Sequence, residues 1–310
     1  MKTLLRSVLL CCALSGAAAH AQFVPPGIDP TATEQITESV YAFRWGPYRS
    51  MFIVGDDGVI VTDPLSTEAA VAYREAIREI TDLPVKVVVY SHSHWDHAPG
   101  AQIFKDEGAT IVSQQICVDN FASSPHPDIV PPDVTFDDEY TVKVKGQQLD
   151  LYYFGPSHDT CLIVMVSPQN KLMYTVDILT PRPHGYYMPW DPQVADFHFY
   201  NAVEYLRQME QLAADENIET VLGAHLVPKP IGKGMFKPAV SIGPASSITE
   251  RREFWEKVMG AVKAEMDNGT ESFMVPNRVD LTQFEDVPNY RKNNMKQLLA
   301  RIAAYYAIGR

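Results

Sequence analysis

Apolar positions in the first half of the chain alternate with polar ones in short runs. After "ITESVYAFRW" (36–45) comes "SMFIVGDDGVIVTDP" (50–64), in which two β-branched runs flank "GDDG" and predict a hairpin. The period then changes. In "STEAAVAYREAIREI" (66–80) the apolar residues are spaced for one face of a helix, and Ser66 stands where an N-cap belongs. A buried strand "VKVVVY" (85–90), a short helix near "AQIFKDEG" (101–108) and a strand "ATIVS" (109–113) follow. Strand, helix, strand, helix, strand is the order of an α/β fold with at least partly buried sheets.

The segment "SSPHPDIVPPDVT" (123–135) is rich in proline and polar residues and reads as a loop. Strands resume in "YTVKVKG", "QLDLYYFG", "TCLIVMVSPQ" and "KLMYTVD", which makes a second sheet. A helix is expected within 191–216, a short strand in "IETVLGAH", and two helices near 248–269 and 289–309. Two sheets with helices on their outer faces predict a four-layer αββα sandwich, an α/β (α+β) fold of two mixed sheets. No sequence repeat or low-complexity segment interrupts this pattern.

Composition narrows the class. With 310 residues, 46% hydrophobic and 21% charged, the chain can bury a sizeable core. The first 21 residues carry Lys2 and Arg6, an apolar stretch too short to span a bilayer, and "AHA" before Gln22, the pattern of a secretory signal peptide. The expectation is therefore a periplasmic or secreted protein. Residues 22–310 would form a single catalytic domain with a C-terminal helical extension from about 244. No later stretch is long and apolar enough to cross a membrane. The formal charge is −12, and −14 without the two cations of the leader. That balance repels phosphate backbones and argues against a nucleic-acid partner. Outside the leader only Cys117 and Cys161 remain, and spacing alone leaves their pairing open. Cys161 reads as a strand residue. The oligomeric state has no signature.

Candidate chemistry is concentrated in "SHSHWDHAPG" (91–100), directly after "VKVVVY". In extended backbone, residues two apart point the same way, so His92 and His94 can bind one ion. Asp96 and His97 lie past Trp95 and a turn, which directs them to an adjacent point. Further ligand types stand at other strand ends: His158 in "FGPSHDT", Asp177 in "YTVDIL" and His225 in "VLGAH". Strand ends of this kind are where open α/β sheets bind ligands.

The order HxHxDH, His, Asp, His resembles the metallo-β-lactamase fold superfamily, from the early hairpin with its buried Asp63 to His225. The resemblance implies two metal ions: His92, His94 and His158 on one, Asp96, His97 and His225 on the other, with Asp177 between them. Imidazole and carboxylate without thiolate suit zinc, and iron or manganese can bind the same set. The implied reaction is attack of a metal-bridging hydroxide on a carbonyl, with Asp96 handling the proton. True zinc β-lactamases tend to carry Cys or Ser at the Asp177 position, whereas glyoxalase II-like thioesterases, lactonases and organophosphate hydrolases keep the aspartate. The expected substrate is accordingly a small ester, lactone, thioester or lactam. The alternatives are a β-lactamase-like antibiotic hydrolase and a weakly catalytic periplasmic metal-binding accessory protein. After Asp177, "ILTPRPHGYYMPWDP" offers Tyr186, Tyr187 and Trp190 as an aromatic, proline-stiffened lid over the substrate.

Overall fold

The computed structural model describes residues 24–181, 197–239, 241–287 and 290–309. The first sheet is built from β1 (Thr31–Gln35), β2 (Val40–Trp45), β3 (Tyr48–Val54), β4 (Val59–Thr62), β5 (Val85–Val89), β6 (Thr110–Gln114) and β7 (Val134–Phe136), in that spatial order. Helix α1 (Thr67–Arg78) follows β4, α2 (Gln102–Asp106) follows β5, and α3 (Gln115–Ser123) follows β6. The second sheet takes β8 (Glu139–Val144), β9 (Gln147–Tyr153), β10 (Ile163–Ser167), β11 (Leu172–Thr175), β12 (Thr220–Gly223) and β15 (Ile242–Pro244). Helix α4 (Phe199–Asp215) precedes β12, and β13 (Val227–Gly232) with β14 (Met235–Ala239) forms a separate ribbon. Helices α5 (Ser246–Asp267), α6 (Val275–Arg278) and α7 (Lys292–Ile308) complete the described chain.

Alternation along the strands makes the layers. In β3, Met51 and Ile53 face the second sheet, while Phe52 faces the other way. The outer cluster joins Phe52, Val61 and Val88 to Tyr73 and Ile77 of α1 and Phe104 of α2. The larger cluster holds the inner face of the first sheet, nearly all of β10 and β11, and Tyr205, Trp255 and Leu298 from α4, α5 and α7. The C-terminal helices thus pack into the main core. Helix, sheet, sheet, helix is the sandwich that the apolar pattern predicts.

Local signals account for the connections. Ser66 caps α1 by accepting from the Ala69 N–H at 3.1 Å. Gly100 has φ +104°, and a Cβ there would lie 2.3 Å from the Ser66 carbonyl oxygen, so only glycine lets the histidine segment turn back against α1. Strands β4 to β7 run parallel, as do β11 and β12, so their carboxyl ends gather on one rim.

Three expectations need correction. Cys161 is not in a strand: β10 begins only at Ile163, whose N–H donates to the Ser91 carbonyl at 3.0 Å, and Cys161 lies in the preceding turn, disulfide-bonded to Cys117 of α3. The proline-rich loop gives up its last residues to β7, where Asp133 accepts from the Ile111 N–H at 2.8 Å and holds that edge to β6. The periodic pattern expected from 191 becomes helix at Phe199, with 182–196 outside the described residues.

Candidate metal centre

Asp177 follows β11 by two residues and takes a left-handed backbone, φ 59°. Its carboxylate is buried among imidazoles. Oδ2 lies 3.1 Å from His158 Nε2, 3.4 Å from His92 Nε2 and 3.5 Å from His97 Nε2, and Oδ1 contacts His225 Nε2. His158 Nε2 also lies 3.2 Å from His94 Nδ1. Two groups result, His92–His94–His158–Asp177 and His97–Asp177–His225, with the ligand atoms of each within 4.8 Å of one another. They share Asp177. Asp96 belongs to neither group: its Oδ2 is 3.8 Å from His97 Nε2 and its side chain is 42% exposed, facing the cleft.

The fold places each side chain for a visible reason. His92 and His94 sit beyond the carboxyl end of β5, His158 in the β9–β10 turn, and His225 two residues past β12, where it bridges to Tyr48 at the start of β3. The Tyr48 ring stands edge-on to both His97 and His225, at 5.5 and 5.3 Å between centroids. Asp63, fully buried just after β4, accepts from the Ser91 N–H at 2.8 Å and places Oδ2 3.7 Å from His97 Nδ1. Ser91 Oγ bonds His92 Nδ1 at 2.8 Å and leaves Nε2 to face Asp177.

Electrostatics separate the imidazoles. Burial, and then the neighbouring His94, lower the His92 pKa and favour the neutral ligand form. Burial also works against a charged His97, but Asp177, Asp96 and Asp63 outweigh it and carry the group up to about 10. Asp177 is raised by burial, yet His97, His225 and His158 hold it well below the usual carboxylate range.

This donor set fits metal ions. The buried Nε2 atoms of His92 and His97 have no hydrogen-bond partner, a defect that costs about 1–3 kcal/mol per group unless something else binds them. Buried charge and imidazole nitrogens converging on one carboxylate are what a cation requires.

Beside His94 and Asp96 opens a cleft of about 480 Å³, lined also by Ser93, Trp95, Asn120, Ser123, Ser124, Asp159 and Thr160. Trp95 is 52% exposed, donates its indole N–H to the Ser124 carbonyl at 3.3 Å, and stands edge-on to His126. Tyr186, Tyr187 and Trp190, the predicted lid, lie outside the described residues.

Sequence reasoning missed the network around Asp159. Its carboxylate accepts from both the N–H and the Oγ–H of Ser93, at 2.9 and 2.6 Å, and Asn120 reaches it from α3. Burial raises this carboxyl, but His92, the Ser93 donors and His94 prevail and hold it at about 2. Its position next to His158 was the one available signal.

The model of the metallo-beta-lactamase superfamily matches residues 43–225, well over half of the chain and all of the site. The chain belongs to the metallo-beta-lactamase superfamily. Its similarity to individual members is modest. It is 27% identical over 154 residues to the 2,4-dinitroanisole O-demethylase subunit alpha of Nocardioides sp. (strain JS1661), covering 49% of this chain and 47% of that one. It thus spans about half the length of that relative. It is 25% identical over 182 residues to the metallo-beta-lactamase type 2 of Elizabethkingia meningoseptica, covering 56% and 70%. The metallo-beta-lactamase from Pontibacter korlensis superposes with a TM-score of 0.59 at 19% identity, over 73% of this chain and 99% of that one, a likeness of fold. This member of the superfamily carries a His/Asp cluster that could hold metal ions. Among the described residues no helix is long and apolar enough to cross a membrane.

Proposed function

We propose that the protein is an exported dinuclear zinc hydrolase that cleaves a carbonyl ester, lactone, thioester or lactam in a small molecule. The observation that carries the reading is the sharing of Asp177 between two ligand groups, which suits a pair of ions a few ångströms apart. Ligands drawn only from imidazole and carboxylate favour zinc. When bound, such ions supply Lewis acidity and a water that ionises near neutral pH.

The chain's own residues do the rest. His92, His94 and His158 would hold one ion and His97 and His225 the other, with Asp177 a member of both groups. Ser91 fixes the orientation of His92 through its second ring nitrogen, and Asp63 places a carboxylate oxygen 3.7 Å from that of His97. Asp96 faces the cleft beside the cluster and accepts the nucleophile's proton, then returns it to the leaving group. The cleft takes a small substrate along Trp95, with Ser93, Asn120 and Thr160 offering hydrogen bonds.

Export rests on the pattern of the first 21 residues and is supported by the Cys117–Cys161 disulfide, which persists in oxidising compartments. A β-lactam substrate is the second reading, favoured by the similarity to the E. meningoseptica enzyme.

The test is hydrolysis of a panel of lactones, aryl esters, thioesters and cephalosporins, with an activated aryl ether added because of the O-demethylase relative. Asp96→Ala is expected to lower kcat by about 100- to 10,000-fold on the best substrate while metal content stays at the wild-type level. Wild-type rates in Asp96→Ala, or no turnover across the panel by the metal-loaded protein, would overturn the reading.

A further inference from the structure

We infer that Asp159 is a positioning residue whose single carboxylate straps the turn bearing His158 to the peptide between His92 and His94, and so assembles the first ligand group. The inference rests on reading that group as a metal site.

Three ligands of the group come from two segments far apart in sequence. His92 and His94 follow β5, whereas His158 lies in the β9–β10 turn, and no strand pairing joins β5 to β9 or β10. One backbone bond, from the Ile163 N–H to the Ser91 carbonyl at 3.0 Å, joins the segments ahead of the two histidines, and Asp159 ties the peptide between them. Oδ2 accepts from Ser93 N at 2.9 Å and Ser93 Oγ at 2.6 Å, and Ser93 is the residue flanked by the two histidines. Oδ1 accepts from Thr160 N at 2.5 Å and lies 3.2 Å from Asn120 Nδ2. Asn120 extends the tie into α3, with Nδ2 also 2.7 Å from Thr160 Oγ1 and 3.1 Å from Ser93 Oγ. One turn of helix earlier, Cys117 is covalently joined to Cys161.

The same accounting says what Asp159 does not do. An ionised carboxylate offers about four lone-pair sites, and five donor groups already face this one, the Thr160 hydroxyl at 3.2 Å among them. It is 2% exposed, although it forms part of the cleft wall. Nothing remains on it to coordinate an ion or accept a substrate proton, so its effect reaches the ions only through where it holds His92, His94 and His158. A strap on one group should leave the other, His97–Asp177–His225, nearly untouched.

The experiment titrates cobalt(II) ions into the metal-free full-length chain, following visible ligand-field absorbance and heat. Wild type is expected to bind two equivalents. Asp159→Ala should weaken one of them by about 10- to 100-fold, the usual cost of losing an outer hydrogen-bonding partner, and leave the other within about threefold. Ser93→Ala keeps its N–H donor and should lose less, and the double variant should bind no more weakly than Asp159→Ala alone, because both changes remove one strap. If Asp159→Ala does not fold, Asp159→Asn is read instead; it keeps the size but turns an amide N–H2 towards donors, and the same one-sided weakening is expected. Wild-type affinity for both equivalents in the variants, or equal weakening of both, would overturn the role of Asp159. A wild-type chain that binds no cobalt at all would instead overturn the metal reading beneath it.

Discussion

Asp177→Ala is expected to release both metal equivalents and to lower kcat/KM by more than about 1,000-fold, or about 4 kcal/mol of transition-state stabilisation. Among the described residues no other side chain belongs to both ligand groups. Removing a single histidine would disable one group; removing this carboxylate takes a member from each and leaves His92, His97 and His158 without the acceptor they surround. Elemental analysis of the purified variant beside its hydrolytic rate checks the outcome, with a far-UV circular dichroism spectrum to show that the sandwich persists. Retention of two ions by Asp177→Ala would mean that the groups do not depend on the shared carboxylate.

The second large effect is on stability. The Cys117–Cys161 disulfide closes a loop with a sequence separation of 44, for which the chain-entropy account gives about 4 kcal/mol. Replacing both cysteines with serine should lower Tm by on the order of 10 °C in a calorimetric scan under oxidising conditions. A reductant should shift wild type in the same direction and leave the double variant where it is. A melting temperature within about 2 °C of wild type in the double variant would contradict this.

How much of this was legible in the sequence depends on the range of the cause. The strand "VKVVVY" and the helix capped by Ser66 are local facts of period and capping, and both appear as β5 and α1. The ligand residues are legible for a related reason: period-two spacing and strand-end position put His92, His94, His158, Asp177 and His225 where they converge. Elements with a polar pattern escaped. β1 has no fully buried residue, and β13 and β14 form an exposed, proline-containing ribbon beside the core. Helix α3 was also missed. It buries only Cys117 among its nine residues and has no apolar stripe to announce it.

The support of the site was illegible for the same reason. Asn120 and Asp159 meet Ser93 across 27 and 66 positions, and no local pattern encodes such a meeting. Asp96 shows the opposite limit. Its place in the motif was plain, and in the folded chain its carboxylate faces the cleft with Oδ2 3.8 Å from His97 Nε2, at the edge of the second group.

The central claim is that this chain is built around two ions sharing one aspartate, and calorimetric titration of zinc into the metal-free protein tests it most directly. The account predicts two equivalents per chain, with protons released on binding and an affinity that falls as pH falls, since an imidazole binds an ion only in its neutral form and the carboxylates around His97 favour its protonated form. Binding of fewer than two equivalents, or uptake with no dependence on pH, would contradict it.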